Sequence, residues 1–322
     1  AAVDNRATIQ AAIDAAETAG GGLVHLPSGT YGIAPDVRDD GVIQLKDNVF
    51  LMGDGIGESV LRLMDGTDHK IVGIVRSPWG GNTDNWGIAD LTIDGNRSHT
   101  TKKVDAFYSG GIPGDVIADH DVYVLRTEAK DCSGYGFDPH ERTLRLLIAD
   151  SVAHGNGLDG FVADHCIDTV FRDNLAYGND RHGFNVVTTS NDFLLKDNIA
   201  RDNGSAGIVV QRGSEDIATP HNILIEGGLL EGNAKEGVLL WLTENVRVSG
   251  LDIRDSGTYG IRIRGASEVT VEGNTITGSS ASGADPYSDI QIADYDDLVL
   301  GRIYAARDNL IRHNTVTASP MS

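Results

Sequence analysis

Cysteine and proline are both scarce in this chain of 322 residues, with two and eight copies respectively. Two thiols cannot staple a disulfide-dense scaffold, and Cys132 and Cys166 are expected to stay as buried thiols rather than to pair. So little proline, about half the usual ~5 %, also excludes a collagen-like or proline-rich chain. No stretch of about 18 apolar residues occurs, and the first residues lack the pattern of a signal peptide, so nothing is read as spanning or addressing a membrane. Basic residues are in deficit as well: 26 Lys and Arg stand against 47 Asp and Glu, a net charge of −21. Without a basic stripe to offset that repulsion, nucleic acid is excluded as a partner. A polyanionic substrate would need a local basic cleft or a bridging cation.

Glycine, by contrast, is abundant at 40 residues, about one in eight where ~7 % is usual. It also recurs in a pattern. Glycine followed by a large apolar residue appears at Gly136-Phe137, Gly160-Phe161, Gly183-Phe184, Gly207-Ile208, Gly237-Val238 and Gly260-Ile261, at spacings of 24, 23, 24, 30 and 23. Four residues before these glycines stand Cys132, Asn156, Asn179, Asn203, Asn233 and Ser256. Between them run short β-rich segments such as Leu144 to Ala149 and Val246 to Ile253, bounded by Asn, Asp and Gly turns. A period in the low twenties with strands this short indicates a solenoid rather than a sandwich. Leucine-rich repeats share the period, but their spaced leucines and helical return segment are absent, which leaves a parallel β-helix. Each coil then stacks about 4.8 Å above the last, and the asparagines form a ladder of amides along the stack. At about 24 residues per coil the chain makes on the order of 12 coils, one elongated module over residues 1–322.

The first turn differs from the rest. Asp4 is placed to cap a helix running to about Ala19, with Ile9, Ala12, Ile13 and Ala16 at helical spacing and Gly20-Gly21-Gly22 ending it. Such a helix would lie across the open first coil and hide its edge. The stretch that follows, Gly20 to Tyr31, resembles the entry to pectin-lyase-like right-handed parallel β-helices. At the other end Asn314-Thr315-Val316-Thr317 stops in mid-pattern with no recognisable cap, and a shortened chain or a covering partner is expected there.

In a stacked solenoid, equal offsets from the repeat glycine fall above one another. Phe137, Phe161 and Phe184, directly after their glycines, should point inward, and the alternation of a strand then sends the residues two and four past each glycine outward. Those columns hold Asp138, Val162 and Asn185, then His140, Asp164 and Val187. His140 and Asp164 become neighbours on successive coils. Just before the glycines stand Tyr135, Asp159 and His182, with Arg181 alongside. So many titratable groups on one outer face exceed what a solvated surface requires. Tyr135 and His140 lie about 16 Å apart if the chain is extended, so a bend near Gly136 is needed to bring them together.

The run Ser133-Gly134-Tyr135-Gly136-Phe137-Asp138-Pro139-His140-Glu141, with Gly157 to Asp164 and Asn179 to Val187, resembles the catalytic A-module of the secreted, calcium-dependent mannuronan C5-epimerases that act on alginate. The similarity covers essentially the whole chain. It implies catalytic roles for Tyr135, Asp138 and His140, and a place in the substrate site for Lys103, Asp105, Asp164 and the Arg181-His182 pair. It further implies Ca2+ as cofactor, alginate or polymannuronate as partner, an extracellular location and a monomer, although no contiguous loop offers a hard-oxygen calcium site. The family's usual opening before the helix is missing, the last coils look shortened, and no glycine-rich calcium-binding repeats follow.

Inverting C5 of a β-D-mannuronate residue requires removing a weakly acidic proton beside a carboxylate and returning one to the opposite face. Arg181, Lys103 or a protonated Asp138 are the groups to neutralise that carboxylate. At their ordinary pKa values, near 6.5 and 10, imidazole is the available base and phenol the available acid, so His140 is expected as base and Tyr135 as acid. The same carbanion can instead expel the 4-O-linked sugar, which makes an alginate lyase, or an enzyme with both activities, the alternative. A polygalacturonase-type hydrolase is disfavoured, because Asn82-Thr83-Asp84 is followed by no Gly-His-Gly. A non-catalytic polysaccharide-binding β-helix is the remaining reading, and it has no need of Tyr135, His140 and Arg181 together.

Overall fold

Short strands turned by left-handed corners stack coil on coil among the described residues. The computed structural model describes residues 3–35, 42–79, 82–111, 119–213, 219–280 and 288–317. Many corners are aspartates with positive φ, among them Asp131, Asp150, Asp173, Asp197, Asp202 and Asp255, all near 50° to 57°. Aspartate tolerates that conformation better than most residues, so part of the acidic surplus is turn chemistry. The chain divides into two compact units, Ala1–Val170 and Phe171–Ser322, and each is a parallel β-helix.

In the first unit one sheet is built from parallel rungs: Gly22 faces Val49, Phe50 faces Gly87, Trp86 faces Val122 and Leu146 faces Val122 from the next coil. The early coils are therefore 27, 37 and 36 residues long, and only from Val122 onward does the 24-residue spacing set in. This corrects the uniform period: the solenoid has about nine turns rather than twelve, because inserted segments lengthen the early coils. A second sheet of this unit runs through Ile43–Gln44, Val75–Arg76, Phe107–Ser109, Phe137–Pro139 and Phe161–Asp164. Its inward residues Ile43, Val75, Phe107, Phe137 and Phe161 are fully buried. Both cysteines are buried free thiols.

The helix forms over Arg6–Thr18 and buries Ile9 and Ile13. Asn5, not Asp4, is its N-cap residue, without a side-chain cap bond. Asp4 Oδ1 instead accepts the N–H groups of Arg6 and Ala34, at 3.0 and 3.1 Å, tying the helix start to the end of the strand Gly29–Ile33. Gln10 exchanges two hydrogen bonds with the Gln44 backbone, both 2.9 Å, so the helix does pair with edge groups of an early coil.

In the second unit, Phe184–Val187, Ile208–Gln211, Val238–Trp241, Ile261–Arg264 and Ile290–Ala293 pair in register. The asparagine ladder is present: Asn179 donates to Asn203 Oδ1 at 3.0 Å, and Asn203 to Asn233 Oδ1 at 2.9 Å. A second ladder at Asn174 and Asn198 was not anticipated. Neither was the antiparallel hairpin formed by Tyr295–Asp297 and Arg302–Tyr304.

Candidate active site

Three successive coils of the first unit assemble a cluster of titratable side chains. At Gly136 the chain turns in so closely that a Cβ there would lie 2.5 Å from the Gly160 carbonyl oxygen, which is why the slot is glycine. Past this corner Phe137 lies between Phe107 and Phe161 in register, and the three rings pack in the coil interior. Asp138 is next on the strand and points the other way, opposite Tyr108. It is only 3 % exposed. This member of the outward column is thus shielded, with Lys103 Nζ 3.9 Å away and Tyr108 beside it on the adjacent strand.

Lys103 joins the two ends of the motif. Its Nζ stands 4.0 Å from the centre of the Tyr135 ring, 3.0 Å from Asp105 Oδ2 and 3.9 Å from Asp138 Oδ2. Asp105 also accepts the Tyr135 backbone N–H, at 2.8 Å. The fold at Gly136 therefore supplies the bend needed between Tyr135 and the residues after it.

His140 ends the motif on a constrained backbone. Glu141 and Arg142 follow it in the left-handed region, with φ of 35° and 66°. Hydrogen bonds hold that turn: the His140 N–H donates to Ser109 O at 2.8 Å, and the Thr143 hydroxyl donates to His140 O at 2.9 Å. The imidazole lies between two carboxylates, Nε2 being 3.2 Å from Asp164 Oδ2 and Nδ1 2.9 Å from Glu141 Oε1. The first distance bears out the neighbour relation read from the glycine register. His140 also stacks on Tyr108 at 5.7 Å with the planes 18° apart. Asp164 in turn meets His165 Nδ1 at 2.8 Å.

These contacts set the protonation states. Burial opposes a charged His140, but its close contacts with Asp164 and Glu141 and the charge of Asp138 outweigh it and push the imidazole up to about 10. The ring is therefore the imidazolium at neutral pH, not the free base that an unperturbed histidine would supply. Burial, helped by the charge of Asp105 and opposed by His140 and Lys103, pushes Asp138 up to about 7. Asp105 is likewise raised, by burial against the pull of Lys103. Burial disfavours the Lys103 ammonium, yet Asp105 and Asp138 hold it charged. At neutral pH the cluster thus contains two cations and a carboxyl group near the midpoint of its titration.

Six of the eight anticipated residues, Tyr135, Asp138, His140, Lys103, Asp105 and Asp164, come together here. Arg181 and His182 lie in the second unit, on the turn before the strand Phe184–Val187, both half-buried. His182 Nδ1 accepts the Ala206 N–H at 3.2 Å. Tyr108, Glu141 and His165 were missed. Tyr108 follows Phe107 in the same register as Asp138 after Phe137, but Ala106 occupies the glycine slot, so that coil did not register as a repeat.

Among the described residues, His140, Asp164 and His165 form the one group close enough to hold a metal, with ligand atoms within 4.8 Å of one another. Two imidazoles and one carboxylate do not suit calcium, which takes six to eight oxygens. Both rings, moreover, already face carboxylates. The site does not fit the calcium that the resemblance implies.

A parallel β-helix that gathers a phenol, an imidazole, an ammonium and carboxylates has the makings of an acid–base site. Residues 1–238 match the rhamnogalacturonase A/epimerase, pectate lyase-like family. The chain is 48 % identical to the A-module of mannuronan C5-epimerase AlgE6 from Azotobacter vinelandii, covering 99 % of this chain and 84 % of that one with a TM-score of 0.97. It is 57 % identical over 252 residues to mannuronan C5-epimerase AlgE3 of that organism, which is 78 % of this chain and 14 % of that protein. Alginate lyase 7, also from Azotobacter vinelandii, is 50 % identical over 244 residues, 76 % of this chain and 28 % of the lyase. The chain belongs to the pectate lyase-like epimerase family and, within it, to the A-modules of the mannuronan C5-epimerases. It spans between 14 % and 45 % of the length of the curated relatives it matches.

Proposed function

We propose that this chain is a catalytic module that converts β-D-mannuronate to α-L-guluronate within polymeric alginate, by taking the C5 proton from one face and returning one to the other. The observation that carries this reading is the joining of Tyr135, Lys103, Asp138 and His140 in one shielded cluster. Removing the C5 proton sends its electron pair into the neighbouring carboxylate, so that group must be neutralised. Lys103 supplies a positive charge, and Asp138, protonated in part near neutrality, supplies a shared proton. Arg181 is kept as a further carboxylate-binding cation, and His182 as a substrate-site residue, on resemblance alone.

The raised pKa of His140 supports proton carriers in the opposite sense to the expectation from unperturbed groups. His140 rests as the imidazolium and returns the proton. Tyr135, with the Lys103 ammonium 4.0 Å from the centre of its ring, removes it. Substitution in D2O separates the two roles. His140→Gln should exchange the C5 proton of mannuronate for deuterium without inversion, while Tyr135→Phe should do neither, and each should lose about 10²-fold or more in epimerisation. Exchange by Tyr135→Phe and none by His140→Gln restores His140 as the base. Near-normal turnover by both removes the site altogether.

The likeness to an alginate lyase supports a second outcome of the same carbanion, elimination of the 4-O-linked sugar. Proton NMR of treated polymannuronate reads inversion, and ultraviolet absorbance of unsaturated ends reads cleavage. The reading also makes the protein extracellular and monomeric. The calcium requirement that the resemblance implies is tested by chelation; epimerisation that survives EDTA removes it.

A further inference from the structure

The second unit carries a cation that the mechanism does not use. Three arginines lie on or just past the strands of its second sheet. Arg212 approaches Asp297 at 3.8 Å and donates to the Tyr304 hydroxyl at 3.1 Å. Arg262 reaches Glu236 at 3.4 Å and donates to Gln291 at 2.9 Å. Arg264 differs: among the described residues no carboxylate lies within ion-pair distance of it. Its partners are aromatic, with the guanidinium 4.5 Å from the centre of the Tyr295 ring and 5.5 Å from that of Trp241. In a chain with 47 acidic and 26 basic residues, a half-buried arginine whose partners among the described residues are aromatic rings calls for an anion from outside.

The surroundings are built rather than incidental. Trp241 sits beside Arg264 in register on the adjacent coil, and Gln211 beside Trp241 on the next. The Trp241 indole N–H is screened from solvent yet has no acceptor among the described residues, which leaves a buried donor for a ligand oxygen. Tyr295 meets Trp241 edge-on at 5.4 Å and stacks with Tyr304 at 6.2 Å. The hairpin that bears these tyrosines is pressed onto the corner at Gly265, where a Cβ would come within 2.8 Å of Tyr295 Cβ and 3.1 Å of Tyr304 Cβ. Rings so held give the apolar face of a sugar a surface to lie on, and a guanidinium among them matches a carboxylate with two parallel donors.

We propose that Arg264, with Trp241 and Tyr295, is a binding point for the carboxylate of a uronic acid residue in the polysaccharide chain, acting in binding and not in proton transfer. This rests on the polyuronate reading above. The test is calorimetric titration of wild type, Arg264→Met and Arg264→Lys with mannuronate oligomers and with neutral mannose oligomers, alongside epimerisation kinetics and thermal unfolding. Arg264→Met should keep its melting temperature, bind mannuronate oligomers about 10-fold more weakly, raise KM in proportion and leave kcat unchanged. Arg264→Lys should fall between it and wild type, and neutral oligomers should not distinguish the three proteins. Unchanged affinity in Arg264→Met, or a loss confined to kcat, overturns the proposal. Wild type that neither binds nor converts polymannuronate overturns the functional reading instead.

Discussion

His140 shows how far neighbours move one side chain. Asp164 and Glu141 hold its pKa up to about 10 in spite of burial, against about 6.5 in the unfolded chain. A folded pKa above the unfolded one stabilises the fold fully below about 6.5, and that contribution is lost as pH rises through about 10. Asp164→Asn removes one of the two carboxylates, so NMR titration of the His140 ring should show its pKa moved down toward the ordinary value. The pH at which the stabilisation disappears should fall with it. A ring that still titrates near 10 in that variant means Asp164 is not what holds the proton. The residue types of this pair and their adjacency followed from the glycine spacing. The charge on the imidazole did not, because it depends on how much water the fold excludes and on Glu141, whose reach to Nδ1 comes from a left-handed turn.

At the scale of elements, the amide ladder and the glycine corners fix the stacking. Asn203 is buried, donates to Ala176 O at 3.1 Å and Asn233 Oδ1 at 2.9 Å, and accepts from Asn179. Asn203→Ala leaves those buried groups without their partner and should destabilise the protein by about 1–3 kcal/mol, read as a lower midpoint in denaturant unfolding. No shift of the midpoint means that the ladder accompanies stacking without supporting it. Both features were legible in the sequence because each coil repeats them. The hairpin at Tyr295–Tyr304 was not, since it occurs once and pairs antiparallel to everything around it.

For the whole molecule the dominant quantity is the net charge of −21 facing a polyanionic substrate. Salt shortens the reach of that repulsion from about 30 Å at 0.01 M to about 8 Å at 0.15 M, while short-range pairing with partly buried cations such as Lys103 is screened far less. Raising ionic strength over this range should therefore increase kcat/KM on polymannuronate. A steady fall would mean that cations at the binding surface govern the encounter. Aspartate corners with positive φ show why such a charge is tolerated: many of these acids are where the backbone needs them.

Period, corner residues and the columns they generate were determined by the sequence, because a parallel β-helix turns linear spacing into vertical contact. The coil interior and the meeting of His140 with Asp164 follow from that alone. Coil lengths before Val122, the shielding of Asp138, the proton on His140 and the aromatic setting of Arg264 were decided only by tertiary structure. Each of these depends on inserted segments or on side chains from non-repeating parts of the chain, and on the water they displace.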